Sequence, residues 1–404
     1  MAAPAAVRTR CVVVGGGPAG MMAGLLLAKL GVEVVVLEKH ADFFRDFRGD
    51  TVHPSTLEVM AELGYLDDLL KLPHAKLRQG AATLNGTSVV VADFTRLPTR
   101  CGYIAIMPQW DFLSFIAEKA RAFPSFSLRM QTEATALLWE GETVAGVRAS
   151  TPEGELEIRA DLVIGADGRH SIVRSQAGFQ AVDFGAPIDV LWMRLPKGTE
   201  SKEQALGYFD SGRFMILIDR GDYFQTGFVI PKGILGELKA RGLQGLREEM
   251  VRLAPLVRDL VPALTDWDQV KLLTVRIDRL PVWHREGLLC IGDCAHAMSP
   301  AGGVGVNYAI QDAVATANLI GRALKAGPVP AARLADVQSR REFPVKLVQA
   351  IQLRIHRRMA ASWNQPPMDR IPFPLRFIRS FPPARHLIGR FLGLGPRPEH
   401  WRPR

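Results

Sequence analysis

The sequence predicts an α/β fold in which a domain built on a parallel sheet is interrupted by a second domain with a mixed or antiparallel sheet. The first observation is a strand–helix–strand pattern at residues 11–37. The second is a change to longer, alternating strands between residues 187 and 229. The third is the return of a short apolar strand at residues 288–291. Continuous apolar strands joined by helices are typical of parallel sheets, and alternating strands joined by tight turns of antiparallel ones, so two domains are expected.

The N-terminal half of the chain begins in the parallel style. Its second strand is rich in valine, which suits a sheet buried on both faces. Ser55 is predicted to be the N-cap of a later helix, since serine accepts a hydrogen bond from a free helix N–H. The predicted elements here are strands at 11–14 and 32–37 and helices at 20–30, 55–70 and 109–122.

The second half of the chain changes style and then returns. Short alternating strands are predicted over 128–164, with turns at 140–142 and 152–154. Longer antiparallel strands are predicted at 189–195, 213–218 and 223–230, and a helix at 306–324 after a glycine-rich loop. The predicted division is a first domain in two parts, an inserted sheet domain and a C-terminal extension, at residues 1–182 with 277–345, 183–276, and 346–404. Residues 80–105 are expected to pack with the inserted domain.

The net charge of +9 is concentrated at the C-terminus. Residues 351–404 contain eleven arginines against Asp369 and Glu399, so the rest of the 404-residue chain is balanced. A basic body suited to nucleic acid is therefore not expected. The nine prolines of this segment exclude one long helix.

The four cysteines are too few and too scattered for a disulfide framework, and Cys290 and Cys294 have no histidine partners at metal-ligand spacing. Residues 11–28 are uncharged, but their glycines and prolines suit a strand–turn–helix better than a membrane span. Since no signal peptide is recognisable, a cytoplasmic protein is expected.

The first chemical motif is a glycine-rich turn between the first strand and the first helix. Gly15, Gly17 and Gly20 fit the pattern G-x-G-x-x-G. Glycine is needed there for a tight turn and for close approach of the backbone to a pyrophosphate, which lies on the positive end of the helix. Glu38, 23 residues after Gly15, ends the second strand, where a carboxylate can accept hydrogen bonds from ribose hydroxyls.

Two further motifs each follow an apolar strand with a Gly/Asp pair. One contains Asp167 and Gly168, and the other contains Asp293 and runs on from Pro300 to Asn307. Either one alone is also typical of a turn with an aspartate helix cap. Their order and separation after the glycine-rich turn make a chance match remote.

Together the three segments resemble the dinucleotide fingerprint, the DG motif and the GD motif of single-component FAD-dependent aromatic hydroxylases, the p-hydroxybenzoate hydroxylase type. The resemblance covers roughly residues 10–345. It implies a Rossmann-type FAD-binding domain, with a parallel sheet and a small antiparallel sheet, interrupted by a substrate domain and followed by a C-terminal helical extension.

The resemblance also implies roles for individual residues. Asp167, Gly168 and Arg174 belong to a segment linked in the family to both FAD and NAD(P)H. The loop from Pro300 to Asn307 is expected along the isoalloxazine ring. The implied FAD-binding residues are Gly15, Gly17, Gly20, Glu38, Lys39, Arg48, Gln109, Asp167, Gly168, Asp293, Pro300, Gly303, Gly305, Val306 and Asn307. Two departures are noted: Val304 stands where some members carry a cation, and Cys294 replaces the usual alanine.

The implied activity is a monooxygenase reaction on an aromatic or polyketide-like compound. NADPH or NADH reduces FAD, O₂ adds at the flavin C4a, and the hydroperoxide passes one oxygen to an electron-rich ring. Two alternatives stay open: an FAD-dependent reductase of a prenyl or lipophilic substrate, and a flavin-binding redox sensor without turnover. A halogenase of this fold is disfavoured because the W-x-W-x-I-P signature is absent.

Several candidate residues have an ordinary structural reading beside the functional one. Trp192, Phe214 and Phe224 are candidate substrate contacts, although aromatic residues on alternating strands are usually sheet core. His53 is a candidate acid or base, or a histidine that merely enters a helix. The basic C-terminal segment either caps the FAD domain or makes peripheral contact with an anionic membrane.

Overall fold

The computed structural model describes residues 5–44, 50–84, 86–197, 205–368 and 370–403. Within them the strands are β1 (Ala5–Val14), β2 (Val34–Leu37), β3 (Thr51–Val52), β4 (Ala75–Leu77), β5 (Gln79–Leu84), β6 (Thr87–Asp93), β7 (Ile104–Ile106), β8 (Phe126–Arg129), β9 (Glu133–Glu140), β10 (Thr143–Thr151), β11 (Gly154–Gly165), β12 (Val182–Asp183), β13 (Ile188–Pro196), β14 (Ala205–Asp210), β15 (Arg213–Asp219), β16 (Tyr223–Pro231), β17 (Lys271–Leu273), β18 (Asp278–Arg279), β19 (His284–Arg285), β20 (Leu288–Cys290) and β21 (His296–Ala297).

The α-helices of the same residues are α1 (Pro18–Lys29), α2 (Pro54–Glu62), α3 (Leu66–Leu69), α4 (Gln109–Arg121), α5 (Ile172–Gln176), α6 (Leu235–Ala240), α7 (Gly242–Leu253), α8 (Val304–Ala326), α9 (Ala331–Ala361), α10 (Phe373–Ser380) and α11 (Pro382–Leu394). Short 3₁₀ helices occur at Pro255–Val257, Val261–Ala263, Trp267–Gln269, Gly292–Cys294 and Ala301–Gly303.

The first sheet is the parallel core of the protein. Its strands follow the order β19-β20-β11-β1-β2-β8, and β9 and β10 form an antiparallel hairpin paired with β11. All pairs among β20, β11, β1, β2 and β8 are parallel. Helix α1 packs against α8 and α4 beside this sheet. The βαβ start, the hairpin strands and the late return of a buried strand agree with the expected pattern.

The second sheet combines two distant parts of the chain. Its order is β17-β13-β16-β15-β14-β5-β6, with one parallel pair, β14 with β5, among antiparallel ones. Strands β5 and β6 come from residues 79–93, far before the other five. The predicted fold class, an α/β domain interrupted by a mixed sheet, is confirmed.

Two local predictions in the first domain need correction. The helix expected over 55–70 is divided into α2 and α3, because Gly64 between them has a φ of +81°, which ends a right-handed helix. Ser55 is not its N-cap. Pro54 starts α2, since its fixed φ suits the first helical position, so His53 is the N-cap and Ser55 lies inside the first turn.

The C-terminal segment is helical, as predicted, but it does not begin as a separate unit. Helix α9 runs through the expected boundary at residue 346, and it packs on α8. Helices α10 and α11 pack on β6 of the second sheet. The apolar core at this junction includes Phe94, Leu97 and Leu394. Among the described residues, no helix is long and apolar enough to cross a membrane.

Candidate functional site

The turn between β1 and α1 has the shape of a phosphate cradle. Gly15 has a φ of +106°, and a Cβ there would lie 2.4 Å from the backbone oxygen of Ala166. A Cβ on Gly20 would lie 1.9 Å from the oxygen of Gly15, so α1 could not pack this closely on the turn. Gly17 is the N-cap of α1, no described side chain caps it, and a Cβ there would meet nothing within 4 Å. The first N–H groups of α1 are therefore left for a ligand.

Glu38 lies at the rim of this turn. Its carboxylate accepts hydrogen bonds from the backbone N–H of Gly16 at 3.2 Å and of His40 at 3.0 Å. This places it where the ribose of a dinucleotide on the turn would lie. Lys39 is 57% exposed, and its Nζ is 3.7 Å from Glu133 Oε1, so the structure places it in a surface ion pair.

The N-terminus of α8 is a second open helix end. Gly303 is its N-cap with a φ of +62°, and a Cβ there would lie 2.2 Å from Thr51 Oγ1. The Gly303 N–H donates to the carbonyl of Pro300, which closes the turn. A Cβ on Gly305 would meet nothing within 4 Å, Val306 is only partly buried, and the first turn of α8 contains no acidic residue. This end can also receive a negatively polarised group.

Asn307 holds this loop in place. Its Oδ1 accepts hydrogen bonds from the His53 N–H and from Thr56 Oγ1, both at 2.8 Å. Its Nδ2 donates to the carbonyls of Thr51 at 3.0 Å and Gly303 at 3.1 Å. These four bonds use the full hydrogen-bonding capacity of the amide, which is 2% exposed. The side chain of Asn307 therefore positions the loop.

His53 is buried and neutral. Its Nδ1 is 2.9 Å from the carbonyl of Leu392 on α11, so Nδ1 carries the proton. Burial lowers the pKa of His53 to about 4. The buried Nε2 makes no hydrogen bond to the described residues. At neutral pH Nε2 of this ring can accept a hydrogen bond from a ligand but cannot donate one.

A buried ion pair beside this loop joins the residue before β3, a strand of a small sheet with β7 and β4, to the second sheet. Asp50 accepts a hydrogen bond at Oδ1 from the N–H of Gln109, at the start of α4. Its Oδ2 pairs with Arg220, in the turn between β15 and β16, and Arg220 also donates to Gln225 Oε1 at 3.1 Å. Burial raises the pKa of Asp50 to about 6, although Arg220 opposes this. Arg48, the predicted arginine of the pyrophosphate region, lies outside the described residues.

The DG motif builds the N-terminus of α5. Asp167 Oδ2 accepts from the N–H groups of Ile172 at 2.8 Å and Val173 at 3.2 Å, and Ser171 Oγ accepts from the N–H of Arg174. Burial raises the pKa of Asp167. Gly168 makes the preceding turn with a φ of +82°. The Asp167 side chain is thus a helix cap in this structure.

The DG and GD motifs lie against each other. Arg169 Nη2 is 3.8 Å from Asp293 Oδ2, and the Asp293 side chain is 34% exposed, so its carboxylate is accessible. Arg174 Nη2 donates to the carbonyl of Arg169 at 2.7 Å. The Cys294 thiol is buried and donates to Ser171 Oγ at 3.2 Å, which agrees with a packing role.

A buried charged network behind the GD motif was not predicted. Asp312 on α8 accepts from Arg341 Nε at 2.9 Å, from the Gly292 N–H at 3.0 Å and from His296 Nε2 at 2.6 Å. Burial would raise the pKa of Asp312, but His296 and Arg341 hold it below its usual value. Arg341 is fully buried and also bonds Glu399 near the C-terminus. A lone aspartate within the apolar helix α8 was the available signal for Asp312.

Helix α9 positions the other end of the same loop. Gln352 Nε2 donates to the carbonyls of Ser299 at 3.1 Å and Ala301 at 3.2 Å, and its Oε1 accepts from the Ser299 N–H. His356 Nε2 lies 3.2 Å from Ser299 Oγ. Nothing in the sequence distinguishes these two residues from ordinary helix positions, so they were missed.

The three candidate substrate residues lie on different faces of the second sheet. Phe224 is 1% exposed and packs in the core formed with α6 and α7. Trp192 and Phe214 are partly exposed and lie on the opposite face, where α9 contributes Leu353 and Met359. The registers of β13, β15 and β16 therefore place Phe224 on one face of the sheet and Trp192 and Phe214 on the other, because side chains alternate between the faces along each strand. Gln225, which bonds Arg220, shares the face of Trp192.

The described residues fit a dinucleotide and give no sign of a metal centre. They contain no group of three or more His, Cys, Asp or Glu that could hold a metal ion, and the four cysteines are buried and free. By contrast, α1 and α8 pack together and both present glycine-capped N-termini without acidic residues in their first turns. A ligand with a pyrophosphate and a second polar end suits this pair of helix ends.

Residues 8–350 match the family model described as FAD binding domain. The chain belongs to the FAD-binding domain family. Among its relatives, the 6-methylpretetramide 4-monooxygenase of Streptomyces rimosus is 31% identical over 355 residues, covering 87% of this chain and 84% of the relative. The rifampicin monooxygenase of Streptomyces venezuelae is 28% identical over 307 residues, 75% of this chain and 62% of that protein.

Solved structures share the fold. PqsL of Pseudomonas aeruginosa, a probable FAD-dependent monooxygenase, has a TM-score of 0.73 at 21% identity and covers 89% of this chain and 100% of its own. The p-nitrophenol 4-monooxygenase PnpA of Pseudomonas putida has a TM-score of 0.72 at 21% identity, covering 96% and 94%. The predicted family, the cofactor FAD and the class of FAD-dependent monooxygenase are confirmed.

Proposed function

We propose that this FAD-binding protein consumes NADPH or NADH and O₂ to hydroxylate an aromatic or polyketide-like small molecule. The observation that carries the proposal is the pair of glycine-capped helix N-termini, of α1 and α8, that no described side chain caps. The buried Asp50–Arg220 pair connects the residue beside the α8 loop to the second sheet, which carries partly exposed aromatic side chains. The names of the relatives support the substrate class, since they include 6-methylpretetramide and p-nitrophenol.

The first part of the site would hold the cofactor. The α1 turn and Glu38 suit the ADP half of FAD, and the N-terminus of α8 suits the electronegative pyrimidine end of the flavin ring. Bound FAD would supply the oxygen chemistry: two electrons from NAD(P)H and one O₂ give one hydroxyl on the substrate and one water. The protein's own contribution is to bind, orient and exclude water.

The second part of the site would hold the substrate. On the face of the second sheet that packs against α6 and α7, the apolar side chains are fully covered. On the other face Trp192 and Phe214 keep part of their surface uncovered. Gly227, opposite Trp192 in the register, leaves room for the indole, since a Cβ there would lie 3.0 Å from the ring. A flat apolar molecule can cover such a surface and gain its burial energy.

The Asp50–Arg220 pair would keep the two parts in register. It connects the residue before β3, whose neighbours bond the α8 loop, to the turn that follows β15. Because reacting groups must be held within a few tenths of an ångström, a buried ion pair between the α8 loop region and the second sheet is a suitable positioning device.

The proposal is tested by NADPH and NADH oxidation with the FAD-loaded protein. Phenols, quinones and polycyclic aromatics are added in turn, including 6-methylpretetramide and p-nitrophenol. We expect strong stimulation by one compound class and a hydroxylated product. Trp192→Ala should raise the KM for that compound about tenfold or more through lost aromatic contact, with FAD content unchanged.

The matched control is Trp139→Ala, because Trp139 is partly exposed on β9, outside the second sheet. Equal kinetic effects of the two substitutions would contradict the assignment of Trp192. A product that has lost a double bond and gained no oxygen would identify a reductase instead. If NAD(P)H does not reduce the bound FAD in the presence of any compound, the protein would be a redox sensor or would depend on an external reductase.

A further inference from the structure

The C-terminal helices α10 and α11 carry exposed aromatic and aliphatic side chains. Phe373 is 76% exposed, Phe377 is 50% exposed and Phe381 is 48% exposed. Phe373 and Phe377 are one helical turn apart and therefore lie on one face of α10, and the Phe377 and Phe381 rings are 5.4 Å apart. Leu387, on α11, is 69% exposed. Phenylalanines clustered this openly are unusual on a protein that remains free in water.

The same two helices carry only positive charge. Residues 370–394 contain five arginines and no acidic residue. Arg376, Arg379 and Arg390 are exposed, and Arg385 is partly exposed. Elsewhere in the chain, acidic and basic residues are balanced, as with Glu342 and Lys346 on α9, which pair at 2.8 Å. The exposed apolar cluster therefore coincides with the basic segment of the molecule.

The charge selects between two ways of covering this surface. In a two-fold dimer the patch would meet its own copy, so arginines would face arginines without a carboxylate between them. An anionic lipid surface supplies the opposite charge and an apolar layer for the phenylalanines at the same time. A short helix with aromatic residues on one side and arginines beside them is suited to lie in such an interface.

We propose that α10 and the first half of α11, residues 373–387, form a docking surface for a bilayer that contains anionic phospholipid. The surface holds the protein peripherally, with α10 in the plane of the headgroups. This binding is independent of the reaction proposed above and needs neither substrate nor turnover.

The docking surface is connected to the FAD site through α11. The Leu392 carbonyl accepts the hydrogen bond of His53, and a Cβ on Gly302 would lie 3.4 Å from the Leu392 side chain. Gly389 packs so closely on β6 that a Cβ there would lie 2.0 Å from the Asp93 oxygen, which fixes α11 firmly. A bilayer bound at α10 would therefore lie on the side of the molecule where α11 closes the α8 loop, a suitable place for an apolar substrate to enter.

The test is vesicle flotation with the FAD-loaded full chain. Vesicles of phosphatidylcholine alone are compared with vesicles of phosphatidylcholine and phosphatidylglycerol, at low and high salt. We expect the protein to float with the anionic vesicles at low salt and to be released by salt, because screening weakens the attraction. Arg376→Gln with Arg379→Gln should weaken binding about 30-fold, and Phe377→Ser about tenfold.

The matched control is Phe343→Ser, because Phe343 is 57% exposed on α9 between Glu342 and Lys346. It should leave flotation unchanged. The fold of each variant is checked by its FAD content, and a Phe377→Trp variant, whose fluorescence should shift to shorter wavelength on anionic vesicles, tests insertion without weakening the apolar face.

Three outcomes would overturn the proposal. The wild-type protein could remain unbound with anionic vesicles at low salt. Phe343→Ser could reduce flotation as much as Phe377→Ser. A concentration-dependent dimer that Phe377→Ser dissociates would assign the surface to a second copy of the chain.

Discussion

The N-termini of α1 and α8 differ from that of α5 in whether side chains of the protein cap them. Helix α5 is capped by Ser171 Oγ and by the Asp167 carboxylate, so its free N–H groups are satisfied within the protein. Helices α1 and α8 instead begin after Gly17 and Gly303, with no capping side chain among the described residues and no acidic residue in the first turn. Since uncapped N–H groups cost stability, helix ends left open beside glycine turns indicate a ligand that completes them.

Removing the support of the α8 end should have the largest effect. Asn307→Ala deletes four buried hydrogen bonds and should lower the free energy of unfolding by about 4 kcal/mol, at about 1 kcal/mol for each bond. Urea denaturation of the apo and FAD-loaded proteins measures it. The exposed Asn364→Ala is the control and should change stability by less than about 0.5 kcal/mol. A small loss at Asn307 would mean that the loop does not depend on this side chain.

Closing the α1 end should separate ligand binding from stability. Gly17→Asp supplies a cap that competes with a pyrophosphate for the same N–H groups and adds like charge. We expect FAD to bind about 100-fold more weakly, while the apo protein keeps or gains stability. Titration calorimetry with FAD and thermal unfolding of the apo protein measure the two effects. Gly17→Ser, a neutral cap, should weaken FAD binding less. An unchanged affinity of Gly17→Asp for FAD would show that the pyrophosphate does not bind at this turn.

The buried His53 beside the α8 loop predicts a pH dependence. Its folded-state pKa of about 4 lies below the unfolded value of about 6.5, so the folded protein binds fewer protons between these values. Neutral His53 therefore contributes to the free energy of unfolding above pH 6.5. This contribution, up to about 3 kcal/mol, is lost as the pH falls toward 4. Asp50, with its raised pKa, gives the opposite slope in the same range, so the measured quantity is the difference between wild type and His53→Gln.

The control for this slope is His40→Gln, because His40 is exposed. The free energy of unfolding is measured by denaturation at several pH values. The decrease toward pH 4 that the wild type shows should be smaller in His53→Gln and unchanged in His40→Gln. Parallel curves for the wild type and His53→Gln would show that His53 titrates normally in the folded protein.

Removing the α5 cap should have the smallest effect. Ser171→Ala should lower the free energy of unfolding by about 1 kcal/mol, since it removes one cap hydrogen bond and the acceptor of the Cys294 thiol, while Asp167 still caps the helix. FAD affinity should stay within about twofold, because this helix end is already completed by the protein. A large loss of FAD in Ser171→Ala would mean that α5 shares the role of α1 and α8.

Local motifs in the sequence located the open helix ends and the order of the two sheet types. Gly15 and Gly20 could be identified from the sequence because backbone atoms lie so close to both residues that a Cβ would clash. A chain that makes this turn therefore has glycine at these positions. Asp167 and Asp293 are readable because each follows a buried strand directly. These signals depend only on neighbours in the chain.

The parts that could not be predicted depend on distant contacts. Arg341 looks like any helix arginine until α8 and α9 bring it to Asp312. The Asp50–Arg220 pair joins residues 170 positions apart. The sequence did not determine which face of the sheet Phe224 lies on. The alternation of side chains along a strand defines two faces but does not show which of them α7 covers. The predicted substrate contacts and the roles of the individual FAD residues stay predictions until a ligand is bound.

The most direct test of the proposed function is product analysis under ¹⁸O₂. The FAD-loaded protein is incubated with NADPH or NADH and with the aromatic compound that most stimulates nucleotide oxidation. The mass of the product is then determined by mass spectrometry. The proposed monooxygenase should add one ¹⁸O atom for each nicotinamide consumed. A product that forms without ¹⁸O, or that takes its oxygen from water, would contradict it.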